Sequence, residues 1–529
     1  MPPLNPLQKK CLTLAIGQTL LTPAFTNAAT INVDTASDAI SAQNCTLREA
    51  IAITNSGNPN IETNGCNVVG TLGNNDQINV NLSGSNTIEL SRGELEITST
   101  VSINGTGAEL LVIDANQQSR VMSVNGAGAS GTSIDGLSLT GGLISNDEPG
   151  SSRRGAGLYV SNAPSVSLSN SIVSNNQGAA YFVDGVGISI RNSPNATLMD
   201  VVVSNNTGVY ESNGGGVEVR DSNNARLESV TITDNTAAYG GGLDVSGSDN
   251  VVIVDSIINN NYIDPDGTSG GSSSGGGVSL SGSDNVVIEN TTISANTATR
   301  DGGGLDISGC DDLLINRSTI SHNLAPEGAG VQIGFSDRLT ITNSTISDNT
   351  ANQFYNQYFG YTRYADGAGI RIFRGSSVFN NVTISDNRAI GSNAEIGGIH
   401  VNASAYAPSL VNTVVANNIG GDCNVNLLDT TASWFSDSSC NGSADGDPGL
   451  GDLSDNGGDT LTQAPLAGSG LLGAGLLSAC QTQANGVDQI GEPRGESACT
   501  IGAVENIGQA DETIFIIPLD NGETVIFGL

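Results

Sequence analysis

The chain has 529 residues, of which 69 are Gly, 4% aromatic and 13% charged, a composition too poor in large apolar side chains for one globular core of that length. Lys9 and Lys10 are its only lysines, and beyond them 16 Arg face 53 acidic residues, a formal charge near −37. So negative a surface repels nucleic acid and anionic lipid and excludes both as partners, while two histidines, His322 and His400, are too few for a His-built zinc centre or a Ser-His-Asp triad to be the expected chemistry.

Residues 1–28 read as a secretory signal, with Lys9 and Lys10 ahead of an apolar run over 11–21 and a small-residue cleavage context at Thr26-Asn27-Ala28. Cys11 lacks a lipobox, which argues against a lipid anchor. A cap is expected over 29–77. It begins with a strand at Thr30–Val33 and continues to Cys45-Thr46-Leu47-Arg48-Glu49-Ala50-Ile51, where Thr46 and Glu49 make a capping box and Leu47, Ala50 and Ile51 share one helical face. Such a helix covers the first coil of a repeat array, hiding its apolar interior and unpaired strand edges.

Residues 78–420 read as that array. Three or four irregular coils precede nine regular ones, each marked by a Gly followed by an aliphatic residue (Gly157, Gly187, Gly216, Gly242, Gly277, Gly304, Gly330, Gly369, Gly398) and by an Asn closing an aliphatic-x-x-Asn run. The Asn column is Asn176, Asn206, Asn235, Asn261, Asn296, Asn323, Asn349, Asn387 and Asn418. Uninterrupted repeats measure 26 to 30 residues, too short for a helical pair and right for one β-coil. Apolar residues alternate within each, as in Leu243, Val245, Val251, Ile253 and Ile258, so the strands turn one face inward. Stacked coils set identical residues about 4.8 Å apart. The Asn column is then a buried amide ladder at a turn, with a backbone able to adopt the left-handed conformation, and the Gly column a corner without room for a Cβ.

Three outward features are candidates for function. The column after each Gly-aliphatic pair reads Tyr159, Ser189, Glu218, Asp244, Ser279, Asp306, Gln332, Arg371, His400. Glu218 and Asp244 fall one coil apart, close to the carboxylate separation of retaining glycosidases, with Asp306 further along; against this, outward strand positions are polar by default, and a solvated face is the expectation. A Thr-x-Ser/Thr ladder (Thr231 and Thr233, Thr292 and Ser294, Thr319 and Ser321, Thr345 and Ser347, Thr383 and Ser385) resembles the columns of ice-binding solenoids, although hydroxyls bonded to one another explain it more simply. Third, extra length enters only between the Asn and the next Gly, at 262–274 and 352–366, and eight of the ten tyrosines lie in that register. Insertions at one register project from one side of a solenoid, commonly the binding side. The expected ligand-binding residues are Phe354, Tyr355, Tyr358, Phe359, Tyr361 and Tyr364, with Tyr262.

Seven cysteines follow the signal. Cys45 with Cys66, Cys423 with Cys440 and Cys480 with Cys499 lie outside the regular repeats and read as three local disulfides, leaving Cys310 a buried thiol. The chain ends in apolar runs at 513–519 and 524–527 around Asp520-Asn521-Gly522, a hairpin signal.

Cys45-Thr46-Leu47-Arg48-Glu49-Ala50 resembles the signature of the CSLREA domain, with Thr46 in place of Ser. The Gly-Gly-rich coils resemble the repeats of polymorphic outer-membrane proteins and other pectate-lyase-like right-handed β-helices. Residues 447–505 resemble the choice-of-anchor Q domain, through Asp447-Pro448-Gly449-Leu450-Gly451, Asp455-Asn456-Gly457-Gly458 and Cys499-Thr500-Ile501-Gly502-Ala503-Val504-Glu505; Asp452, Asp459, Ile490 and Val504 depart from that pattern. No catalytic residues come with these resemblances.

The reading is therefore an all-β chain: a right-handed parallel β-helix (solenoid) of about 12 coils, an N-terminal amphipathic helical cap, a disulfide-pinned C-terminal module over 421–510, and a hairpin over 511–529 that acts as a cap or a sorting tail. The expected function is an exported, surface-associated bacterial scaffold, adhesin-like or carbohydrate-binding and non-enzymatic. A polysaccharide lyase or glycoside hydrolase is the alternative, and an ice-binding solenoid a minor one. The expected partner is a glycan or a surface protein, the coils do not insert into membrane, and the chain is a monomer. No cofactor is called for, Ca²⁺ being the one ion the acidic faces leave open.

Overall fold

The computed structural model describes residues 28–505 apart from 62–64, 85, 148, 151–152, 210, 264–273, 357–360, 392–394, 404 and 428, together with the backbone of Phe515–Pro518 and Thr524–Phe527. Residues 1–27 of the expected signal segment, Tyr210, the Asp264-Pro265-Asp266-Gly267 insertion, Tyr358 and Phe359 lie outside the described residues.

One regular coil shows the logic of the rest. Leu243–Ser246, Val252–Val254 and Ile257–Asn259 form three faces, and the short strand Tyr262–Ile263 a fourth. Each pairs in parallel with its copy in the next coil, Val245 with Leu280, Ile253 with Ile288 and Ile258 with Ile293. The period-two pattern sends Leu243, Val245, Ile253 and Ile258 fully inward and leaves Val252, Val254 and Ile257 outward. Stacked in this way the coils form a right-handed parallel β-helix, with one continuous interior from Ile31 to Phe435. The stack is longer than the repeat landmarks suggest. Thr30–Val33 already pairs in parallel with Asp76–Val80, and coils continue beyond 420 to Thr430–Thr431 and Trp434–Phe435.

Turns between faces pass through a residue with positive φ, such as Asp255 (51°) and Asn260 (53°), places where Asn and Asp are tolerated best. The ladder Asn stands one residue later. This corrects the expected left-handed backbone at the ladder itself: Asn175, Asn205, Asp234 and Asn260 take the turn, which frees the next side chain to point inward. There Asn235 Nδ2 donates to Asn261 Oδ1 (3.0 Å) and Val203 O (2.9 Å), and Asn261 Nδ2 to Asn296 Oδ1 (3.1 Å) and Ile232 O (2.9 Å). All nine ladder residues are buried. The Gly column faces this ladder. A Cβ on Gly242 would lie 2.7 Å from Gly277 O and 2.8 Å from Asn261 Nδ2, so the amides themselves exclude any side chain.

The helix α1 (Leu47–Ser56) lies over the first coil with the expected capping box: Glu49 N donates to Thr46 Oγ1 (3.2 Å) and Thr46 N to Glu49 Oε2 (3.1 Å). Leu47, Ala50, Ile51 and Ile53 complete the core, and Asn55 supplies the missing ladder partner of the Leu95–Ile97 edge, donating to Glu96 O (2.7 Å) and accepting from Thr98 N (2.8 Å). Disulfides join Cys45 to Cys66, Cys423 to Cys440 and Cys480 to Cys499, while Cys310 is a free, buried thiol.

Residues 447–505 do not extend the stack. They fold back along its third face, covering the C-terminal half of the Thr-x-Ser/Thr ladder. Thr345 Oγ1 donates to Gln489 Oε1 (2.7 Å), Gln489 Nε2 donates to Thr319 Oγ1 (2.8 Å), and Ala503 N donates to Thr383 Oγ1 (3.0 Å). Arg494, fully buried, reaches Asn343 Oδ1 (2.8 Å) and the carbonyls of Thr500, Gly502 and Ala503; burial lowers its pKa to about 10. The expectation of hydroxyls bonded mainly to one another is thus corrected. Thr319, Ser321, Thr345, Ser347, Thr383 and Ser385 are buried under the module, and Thr231, Thr233, Thr292 and Ser294 stay partly exposed.

Candidate functional site

The post-Gly column is not the solvated face expected. Ser189, Glu218, Asp244, Gln332 and His400 are buried, and Tyr159, Ser279, Asp306 and Arg371 only partly exposed. The cause is the turn that precedes each Gly-aliphatic landmark. Gly302 (φ 61°) and Gly367 (φ 58°) fold the residue before them back over the strand, and a Cβ on either would lie 2.7 Å from Asp306 Cβ or 2.8 Å from Arg371 Cβ. A second polar column results, bridged in parallel from Ser274 through Asp301 and Glu327 to Asp366, alongside Ser279, Asp306, Gln332 and Arg371. Two facing columns make a groove.

At the N-terminal end one guanidinium ties two of its carboxylates together. Arg191 pairs with Asp184 (2.5 Å) and bidentately with Glu218, which also accepts from Ser189 Oγ (2.7 Å). Burial pushes the Glu218 carboxyl up, with Asp184 adding to the effect and Arg191 opposing it. Burial likewise raises its register partner Asp244 to about 6. Both oxygens of Glu218 are occupied, by Ser189 and Arg191, so Glu218 is held in a structural network.

Three coils on, about 14 Å along the stack, the groove opens. A cavity of about 410 Å³ is lined by Arg300, Asp301, Asp306, Glu327, Gln332, Arg363 and Arg371, with Phe335 and Phe373 at its rim. A second of about 380 Å³ adjoins it across Glu327, Arg363 and Arg371, and is lined further by Thr362, Tyr364, Asp366 and Glu395. The divider is an ion-pair chain: Arg363 Nη1 to Glu327 Oε1 (2.9 Å), Arg371 Nη1 to Glu327 Oε2 (3.1 Å) and Arg371 Nε to Asp366 Oδ2 (3.1 Å). Arg371 is thus paired twice. Two carboxyls of the first cavity titrate near neutrality. Burial raises Asp301 to about 6, with Glu327 adding to it, and raises Asp306 to about 7, with Asp301 adding.

The aromatic rim comes from an irregularity in two coils. Val331–Thr342 and Ile370–Asn380 run as single long strands through the corner that other coils turn, with register shifts between Ile333 and Leu339. Phe335 (φ 55°) stands where earlier coils carry Gly247, Gly282 and Gly309. It is 56% exposed, its ring centroid lies 5.6 Å from that of Phe373, and Arg374 and Arg371 lie over the two rings. Sequence reasoning missed both phenylalanines by looking for aromatics only in the insertions. The signal was present, since an aromatic replaces the turn Gly.

Thr362, Arg363, Tyr364 and Asp366, from the C-terminal part of the insertion 352–366, supply one wall. Phe354–Asn356 and Tyr361–Arg363 form an antiparallel hairpin, Phe354 opposite Arg363, which brings Arg363 to Glu327. Phe354 is half-buried and Tyr364, lining the second cavity, is 48% exposed. The side chains of Tyr355 and Tyr361 lie outside the described residues, and Tyr262 sits half-buried in a fourth-face strand, away from this hairpin in the chain.

A family model described as a right-handed β-helix region matches residues 186–387 and 269–427. Among solved structures, the chain is similar to the A-module of a mannuronan C-5 epimerase, AlgE6, of Azotobacter vinelandii (10% identity, TM-score 0.41, covering 68% of this chain and 89% of that one). It is similar also to the pectate lyase Pel9A (17%, 0.37, 82% and 89%) and to PfbA, a surface adhesin of Streptococcus pneumoniae (12%, 0.38, 71% and 86%). No curated protein sequence matches.

Proposed function

We propose that the chain is an exported, surface-associated β-helix that binds glycan in the groove spanning Asp301 to Asp366. The observation that carries this is the pair of exposed Phe335 and half-buried Phe373 beside a cavity lined by carboxylates, guanidiniums and an amide. Flat apolar rings flanked by hydrogen-bonding groups suit a sugar, whose ring faces are apolar and whose edges are hydroxyls. With a formal charge of −35 overall and Arg300, Arg363 and Arg371 of the two cavities already paired to acids, a neutral glycan fits better than a uronate. Export is supported by the N-terminal Lys-Lys and apolar run and by three disulfides. The CSLREA-like helix and choice-of-anchor-Q-like module fit a surface protein whose ends are built for closure and docking. A glycan array probed with residues 29–529 tests the reading: neutral oligosaccharides are retained, and Phe335→Ser with Phe373→Ser removes retention without changing thermal unfolding. Binding unaffected by the pair sinks it.

A second reading, a polysaccharide-cleaving enzyme, is favoured by Asp301 and Asp306, carboxyls that keep a proton near pH 6 to 7 in the same cavity and so can donate it to a leaving oxygen. Release of reducing ends or unsaturated products, lost in Asp306→Asn, selects this reading over simple binding.

A further inference from the structure

The C-terminal end of the groove holds a group that sugar binding does not explain. His400 is the last member of the post-Gly column, in register with Arg371. The turn at Gly367 lays Asp366 against it, His400 Nδ1 lying 2.5 Å from Asp366 Oδ2, and Glu395 approaches from the loop before the next coil, its Oε2 3.7 Å from His400 Nε2. One ligand atom from each of the three lies within 4.8 Å of the other two. Asp366 and His400 are each only 8% exposed, and while Asp366 Oδ2 meets both His400 Nδ1 and Arg371, Asp366 Oδ1 is buried with no hydrogen-bond partner. Arg371 satisfies Oδ2 of that carboxylate and leaves Oδ1 bare. A buried carboxylate oxygen left without a partner beside an imidazole is rare in folded proteins, and a cation bound there satisfies it.

We propose that Asp366, Glu395 and His400 bind a first-row divalent cation, of the Zn²⁺ or Mn²⁺ class. An imidazole nitrogen with two carboxylates selects these ions over Ca²⁺, which takes oxygen ligands. Charge agrees. With His400 neutral, as a metal ligand must be, Glu327, Asp366 and Glu395 face Arg363 and Arg371 here, three carboxylates against two guanidiniums, so an uncompensated negative charge remains. Three protein ligands leave open coordination positions, and the 380 Å³ cavity lined by Tyr364, Arg363 and Glu395 opens beside them. The site differs from the aromatic rim and does not depend on the glycan reading.

The test is titration of the full mature chain, freed of metal by chelator, with Zn²⁺, Mn²⁺ and Ca²⁺ by calorimetry, with thermal unfolding alongside and Co²⁺ absorption as a report on imidazole ligation. One Zn²⁺ or Mn²⁺ per chain is expected, raising the unfolding midpoint. His400→Gln should abolish the Co²⁺ signal, and both His400→Gln and Glu395→Gln should weaken binding about tenfold or more. Glu395 is exposed, its side chain 63% accessible, so its replacement leaves folding intact and keeps the test decisive. The proposal is overturned by absence of stoichiometric Zn²⁺ and Mn²⁺ binding, by binding unchanged in both variants, or by equal affinity for Ca²⁺.

Discussion

Asp306→Asn separates a carboxyl kept for function from one kept for stability. In the folded chain burial, reinforced by Asp301, moves the Asp306 carboxyl from its ordinary 3.8 to about 7. At about 1.4 kcal/mol per tenfold change in proton affinity, the bound on its cost is about 4 kcal/mol, and screening by water in the cavity reduces this to about 2 kcal/mol. The sign follows from linkage. Below pH 3.8 both states are protonated and the group costs nothing; as pH rises the unfolded chain ionises first, and stability is lost until the folded carboxyl also ionises near pH 7. The neutral amide escapes this. Urea midpoints followed by circular dichroism at pH 4, 6 and 8 should therefore show Asp306→Asn equal to wild type at pH 4 and more stable by about 2 kcal/mol at pH 8. A difference independent of pH, or a variant less stable at pH 8, refutes the reasoning, because the carboxyl would then be stabilised by contacts rather than opposed by burial.

Removing one rung of the amide ladder should be far costlier. Asn296→Ala strips partners from Ile258 O and from Asn261 N and Nδ2, so at about 1–3 kcal/mol per buried orphan it should lower stability by about 3 kcal/mol or more, measured by urea denaturation against Thr233→Ala as a partly exposed control. Peptide mapping without reduction should recover the three disulfides and leave Cys310 alkylated only after unfolding; Cys310 crosslinked to any of the six contradicts the structure. Gln489→Ala removes the bridge between Thr319 and Thr345, and limited proteolysis should then cut within 447–505 well before the coils.

The sequence alone determined the coil. Alternation in Leu243, Val245, Ile253 and Ile258 defines three inward-facing strands, the Gly and Asn columns define two corners, and translation by one repeat does the rest, because every contact in a solenoid is between near neighbours. The capping box at Thr46 and Glu49 and the local cysteine pairs were legible for the same reason, as interactions between residues close in the chain. Only the tertiary structure decided what covers the outward faces. Gln489 on Thr319 and Arg494 on Asn343 join residues more than a hundred positions apart, and no periodicity encodes such a contact. The groove is of the same kind: a strand pattern says that Asp306 and His400 point outward, but a turn at Gly302 or Gly367 decides that they are roofed, and roofing turns ordinary surface acids into carboxyls that hold a proton near neutrality. Phe335 lies between the two cases, visible in the sequence as a broken turn rule yet meaningful only once Phe373 stands 5.6 Å away.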